Sequence, residues 1–196
     1  MRQEIEKAFK NAVDNAPDAS KVVITEAVQT KLAALSSIVA QLRSQVSRDP
    51  YHKTVNYMPD IEGPARLAKA FAKLGKGMVA VRGKQQITEE EYGVICKAAL
   101  DTIPRRRSVI LGSLLDLEWK GAREIGCKVN IPTVTVGREL EDLAMIKVVK
   151  REVDSDNSDE MAETAPYRWR LKDATVIALR SSGLMEALES MLMALS

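Results

Sequence analysis

The chain has 196 residues, a net charge of +2 and only 4% aromatic residues within a hydrophobic content of 45%. That length supports one large or two small domains, with cores built mainly from aliphatic and Met side chains. No apolar run reaches membrane length, and the two cysteines, Cys96 and Cys127, lack CxxC or Cys/His spacing. A disulfide framework, a zinc site and a membrane partner are therefore disfavoured, and the expected location is the bacterial or archaeal cytoplasm.

Ile5, Phe9 and Val13 recur at helical spacing before Pro17, which predicts a short amphipathic helix. A longer helix begins near Thr25 and carries Val28, Leu32, Leu35, Val39, Leu42 and Val46, a stripe covering too few heptads to prefer a coiled-coil seam over core packing. The segment from Arg48 to Glu62 reads as a loop. Its His52, the only histidine, has no His, Cys or carboxylate cluster at ligand spacing and is expected to face solvent. From Pro64 to Met78, Leu67, Phe71, Leu74 and Met78 are assigned to a core face, with Arg66, Lys69, Lys73 and Lys76 mainly opposite. Thr88 with Glu91 forms a capping box that starts a further helix toward Thr102 and Pro104.

The next block changes character. Ile125, Val129, Val136, Leu140 and Leu143 place two helices on either side of a turn, with Asn130 at a position suited to left-handed backbone and Pro132 at the opening of the second helix. After Leu143 the β-branched pair Val148 and Val149 and the strict alternation from Tyr167 to Lys172 predict a two-stranded hairpin. In that alternation Tyr167, Trp169 and Leu171 are assigned to the core, leaving Arg168, Arg170 and Lys172 in an outward row suited to phosphates. Six acids lie between Glu152 and Glu163. They are expected to form a solvated hairpin loop, or else a screen against non-specific nucleic acid or a site for a basic partner.

The block resembles the winged-helix domains of many bacterial and archaeal regulators. The resemblance implies a mainly α fold in which the second helix of the pair is a recognition helix and duplex DNA is the partner. The DNA-facing set is then Thr133, Val134, Gly137 and Arg138 on that helix, with Lys150, Arg168, Arg170 and Lys172 on the hairpin. Among the outward positions of the helix, which also include Glu141, only Arg138 is basic. A protein-protein contact module without DNA binding is therefore the alternative.

The order of parts adds a second resemblance. GPARLAKAF from Gly63, a basic turn near Gly83, ITEEEY from Ile87 and then the winged helix are similar to the end of certain AAA-type ATPases, as in origin-recognition initiators and the Holliday-junction branch-migration helicase. The likeness covers most of Thr25 to Lys172. It implies that Arg66 is a nucleotide-sensing arginine of a helical lid, acting on phosphates through charge-assisted bonds when joined to an ATPase core. No G-x-x-x-x-G-K-[ST] loop, nucleophile with a base, carboxylate pair or metal cluster can be assembled from the spacing. The expectation is therefore no enzyme activity, no catalytic or metal residue and no cofactor in this chain, with ATP only through an upstream core.

The tail from Ala174 to Leu195 is helical in pattern, interrupted near Ser181, Ser182 and Gly183. Leu184, Leu188, Met191, Leu192 and Leu195 supply an apolar face. Packing within the chain is the first expectation and a homodimer seam the second. The predicted organisation is a helical lid-like bundle over residues 1–103, a winged helix-turn-helix with a β-hairpin wing over 104–173, and a carboxy-terminal amphipathic helix over 174–196.

Overall fold

A computed structural model of the chain describes residues 2–14, 16, 18–48, 61–153 and 167–194. His52, the acidic stretch from Asp154 to Glu163, Leu195 and the side chain of Phe9 lie outside the described residues. The described chain is mainly helical, with a small antiparallel sheet. The helices are α1 (Arg2–Asp14), α2 (Glu26–Arg43), α3 (Ala65–Val81), α4 (Glu89–Asp101), α5 (Arg105–Ser113), α6 (Ala122–Val129), α7 (Thr133–Met145), α8 (Asp173–Ser181) and α9 (Leu184–Met193). The strands are β1 (Lys120–Gly121), β2 (Val149–Val153) and β3 (Tyr167–Leu171). No helix among the described residues is long and apolar enough to cross a membrane.

The local signals that start these helices act as side-chain chemistry dictates. Thr25 Oγ1 accepts the Val28 N–H at 3.4 Å at the start of α2. At the start of α4, Glu91 reaches back to accept the Thr88 N–H at 3.0 Å, closing the capping box. Glu91 is fully buried, and Arg82 and Lys84 meet its carboxylate at 2.6 and 2.8 Å, so the turn after α3 is pinned to the first turn of α4.

α2 is central. Its Leu35, Val39 and Leu42 are fully buried, and it packs against α3, α4 and α8. The tail closes the remaining sides, with α8 on α2 and α9 on both α4 and α5. One hydrophobic cluster therefore runs through the amino-terminal helices, the helix pair, the sheet and the tail. Leu184 and Leu188 are fully buried in this chain, whereas Met193 is largely exposed. α4 is tied to the break before α9 by a buried bond from the Tyr92 hydroxyl to the Ser182 carbonyl at 2.8 Å.

Several expected core positions are elsewhere. Ile5 and Val13 are exposed on α1. Val46 packs against the core as expected, but from beyond the end of α2. Leu74 is exposed because the buried line of α3 runs through Leu67, Phe71, Gly75 and Val79 at four-residue steps, which puts Leu74 one residue, about 100°, off that line. Cys127 is exposed, while Cys96 is buried.

The sheet has the order β1-β3-β2, and β1 is a strand that periodicity did not announce because it is only two residues long. Lys120 pairs with Trp169 and Val149 with Leu171. Trp169 and Leu171 face the core as expected. Tyr167 shares their face but lies beyond the core's edge and is exposed. It meets Trp169 edge to face at 6.2 Å, and the Arg151 guanidinium sits over its ring at 4.5 Å.

Candidate nucleic-acid interface

Between α6 and α7 the backbone reverses at Asn130, with φ 55 and ψ 46. The side chain of an Asn tolerates this left-handed conformation. The Ile131 N–H then bonds to the Gly126 carbonyl at 3.0 Å, and a Cβ at Gly126 would stand 2.7 Å from the Ile131 oxygen. The turn can be this tight only because Gly126 has no side chain. Pro132 follows, and its carbonyl accepts the Thr135 and Val136 N–H groups to begin α7.

α7 buries Val136, Leu140 and Leu143. On its outward side Thr133, Val134, Arg138 and Glu141 are exposed, and Val134 retains 66% of its surface. Gly137 lies among them with nothing within 4 Å of the place a Cβ would occupy. A groove of about 730 Å³ runs beside this side, between the start of α6, α7 and β3, and its lining includes Thr133, Gly137 and Cys127, two bases, Arg123 and Arg168, and two acids, Glu124 and Glu141. The expected recognition-helix positions Thr133 and Gly137 are thus brought together with Arg168, and with Arg123, which periodicity did not single out.

The far end of α7 is occupied. Arg48 Nε donates to Asp142 Oδ1 at 2.9 Å, and Nη2 donates to Glu141 Oε2 at 3.0 Å and to the Arg138 carbonyl at 3.1 Å. Burial works against the Arg48 charge, but the bonds to Asp142 and Glu141 outweigh it and hold the guanidinium above its ordinary pKa. Buried Arg107 adds a second clamp. Its Nη1 donates to the Leu42 and Ser44 carbonyls at 2.7 and 2.8 Å, satisfying the end of α2, while Nε reaches Glu139 on α7 at 3.5 Å. Gln41 donates to the Ile146 carbonyl just past α7. None of these links between α2 and α7 has a local sequence signal.

The hairpin cations form no simple outward row. Lys150 and Arg170 face each other across β2 and β3, and Asp173 answers both, at 3.7 and 3.5 Å. Lys150 Nζ also lies 5.9 Å from the centre of the Trp119 ring. Arg170 is half-buried, and its Nε has no hydrogen-bond partner. Arg168 stands opposite Glu152. Lys172 falls just outside β3, at the N-cap of α8, where its carbonyl accepts the Val176 N–H at 3.0 Å. Arg66 is far along the chain on the first turn of α3, where it pairs with Glu62 at 2.6 Å and is largely exposed.

The chain matches no family model, no curated protein and no solved structure. The geometry of its own residues therefore carries the functional argument. An exposed helix face next to an open groove of mixed charge, with Arg123 and Arg168 set against Glu124 and Glu141, can accept a backbone or a base edge, and Arg48 pairs with Glu141 and Asp142 on the same helix. No group of three or more His, Cys, Asp or Glu residues suited to a metal is found among the described residues.

Proposed function

We propose that residues 104–173 act as a winged helix that binds duplex DNA, with α7 as its recognition helix and β2 and β3 as the wing. The element order α5, β1, α6, α7, β2, β3 and the antiparallel β1-β3-β2 sheet support this reading. The observation that carries it is the outward side of α7: Thr133, Val134 and Arg138 are exposed around a Gly137 with open space above it, while Arg48 pairs with Glu141 and Asp142 of the same helix. Arg138 supplies the base-edge donor, and Gly137 lets the nucleic acid come close to the helix backbone.

On this reading the module belongs with an ATPase core of the AAA type, as the sequence resemblance implies, in replication or regulation. Arg66, exposed on the first turn of α3, is the nucleotide-sensing residue only in that joined form, and ATP enters only there. A second reading has its own support. Asp173 and Glu152 oppose the wing cations, and the apolar Val134 is exposed in the first turn of α7, a pattern suited to protein contact.

Anisotropy titration with a labelled duplex separates the two readings. The DNA reading expects saturable binding that weakens with salt and loses about 1–3 kcal/mol in Arg138→Ala. Absence of duplex binding at low salt, with a protein partner lost in Val134→Asp, favours the contact module.

A further inference from the structure

Beyond α7 and the wing, the molecule has a second concave basic surface. α5, the end of α6, the Asn130 turn and the end of α9 enclose a groove of about 480 Å³. Its rim carries Arg105, Arg106 and Lys128, all exposed, and its floor is made of aliphatic side chains such as Val109, Ile131 and Leu192. No acid lines it. An adjoining groove shares Arg105 and adds Lys97 with one acid, Asp101. Lys128 has an acid in electrostatic range, Asp116, which is already bonded to Lys120.

The position of this groove matters as much as its charge. Asn130 and Ile131 line it, while Thr133, only two residues beyond Ile131, lines the groove on the wing side. The first turn of α7 therefore stands between two grooves, each with cations on its rim. A helix seated in a major groove is flanked by two sugar-phosphate strands. On the wing side the groove holds Glu124 and Glu141 beside its Arg123 and Arg168, and the hairpin cations are partly answered by Asp173 and Glu152. On the other side, Arg105, Arg106 and Lys128 face no lining acid, and the aliphatic floor suits the apolar faces of deoxyribose.

We infer that Arg105, Arg106 and Lys128 form a second phosphate-backbone contact for duplex DNA, on the side of α7 away from the wing. The inference rests on the duplex-binding reading above, and it moves the main electrostatic contribution from the hairpin to the start of α5 and the end of α6. Arg107, next in the run, takes no part because its guanidinium is committed to the end of α2.

The test is the salt dependence of duplex binding by the full chain. Three phosphate contacts contribute about −2.7 to the slope of log affinity against log salt, at roughly −0.9 per contact. Arg105→Ala/Arg106→Ala/Lys128→Ala is expected to flatten the slope by about that amount without changing the thermal midpoint. As a control of equal charge change, Lys69→Ala/Lys73→Ala/Lys76→Ala on α3 should leave the slope in place. Duplex binding by the wild type with an unchanged slope in the first variant, or an equal loss in the control, overturns this inference alone. Absence of duplex binding by the wild type overturns it together with the reading it rests on.

Discussion

Arg48 and Asp142, separated by 94 positions in the chain, form a close ion pair in which Nε and Nη2 both donate to Oδ1, at 2.9 and 2.5 Å. Both side chains are less than a fifth exposed, so the pair is shielded from solvent far better than a surface bridge. It links the stretch after α2 to the acidic end of α7. Replacing Arg48 with Ala leaves Asp142 half-buried without its cation, and the expected loss is about 2 kcal/mol in chemical denaturation. The same variant leaves Glu141 and Asp142 without their cation beside the proposed duplex-binding side, so on that proposal duplex affinity should fall most at low salt. Asp142→Asn should cost stability without that electrostatic penalty.

Arg107 acts mainly on neutral carbonyls, with Glu139 at the longer distance of 3.5 Å. Its substitution by Met keeps much of the aliphatic bulk but leaves the Leu42 and Ser44 carbonyls without their donor. The expected cost is about 3 kcal/mol, read as a lower denaturation midpoint with an unchanged slope. A change below 0.5 kcal/mol would show that water replaces the guanidinium at the end of α2.

Glu91 sets an acid limit on stability. Bonds from Lys84, then Thr88 and Arg82, outweigh its burial and hold the carboxyl well below the ordinary carboxylate range. A carboxyl depressed in the folded state stabilises fully above its unfolded pKa, near 4.3, and that contribution is lost as pH falls toward the folded value. Stability should therefore decline below about pH 4.5. Glu91→Gln should be less stable at neutral pH and lose part of this decline, as measured by urea unfolding at a series of pH values.

Gly137 separates folding from function. A Cβ there meets no atom within 4 Å, so Ala gains helix propensity without a clash. Gly137→Ala should add about 1 kcal/mol of stability, raising the thermal midpoint by roughly 2–4 °C. If DNA approaches the α7 backbone, the same methyl should weaken duplex binding. A more stable variant with unchanged affinity would place the DNA away from this residue.

The features legible in the sequence are those whose causes are local. Asn130 and Pro132 mark the turn because backbone conformation is set by the residues themselves, Thr88 and Glu91 mark a helix start through a three-residue reach, and Trp169 and Leu171 mark the buried face by alternation. What was not legible depends on partners distant in the chain. The Arg48 clamp, the commitment of Arg107 to α2, and Asp173 answering Lys150 and Arg170 all require the fold before the pairing exists. The run Arg105, Arg106, Arg107 is visible in the sequence, but helix phase and the path of α2 decide that the first two are exposed and the third buried.

The two thiols offer the most direct test of where duplex DNA binds. Cys127 is exposed and lines the groove beside Thr133 and Gly137, whereas Cys96 is buried, its thiol pushed up to about 11 by burial. In the native chain at pH 8, one thiol, Cys127, should react with an alkylating reagent while Cys96 reacts only on unfolding. Saturating duplex should then slow Cys127 alkylation several-fold, as read by mass spectrometry of the modified peptide. An unchanged Cys127 rate in the presence of saturating duplex would contradict docking through α7.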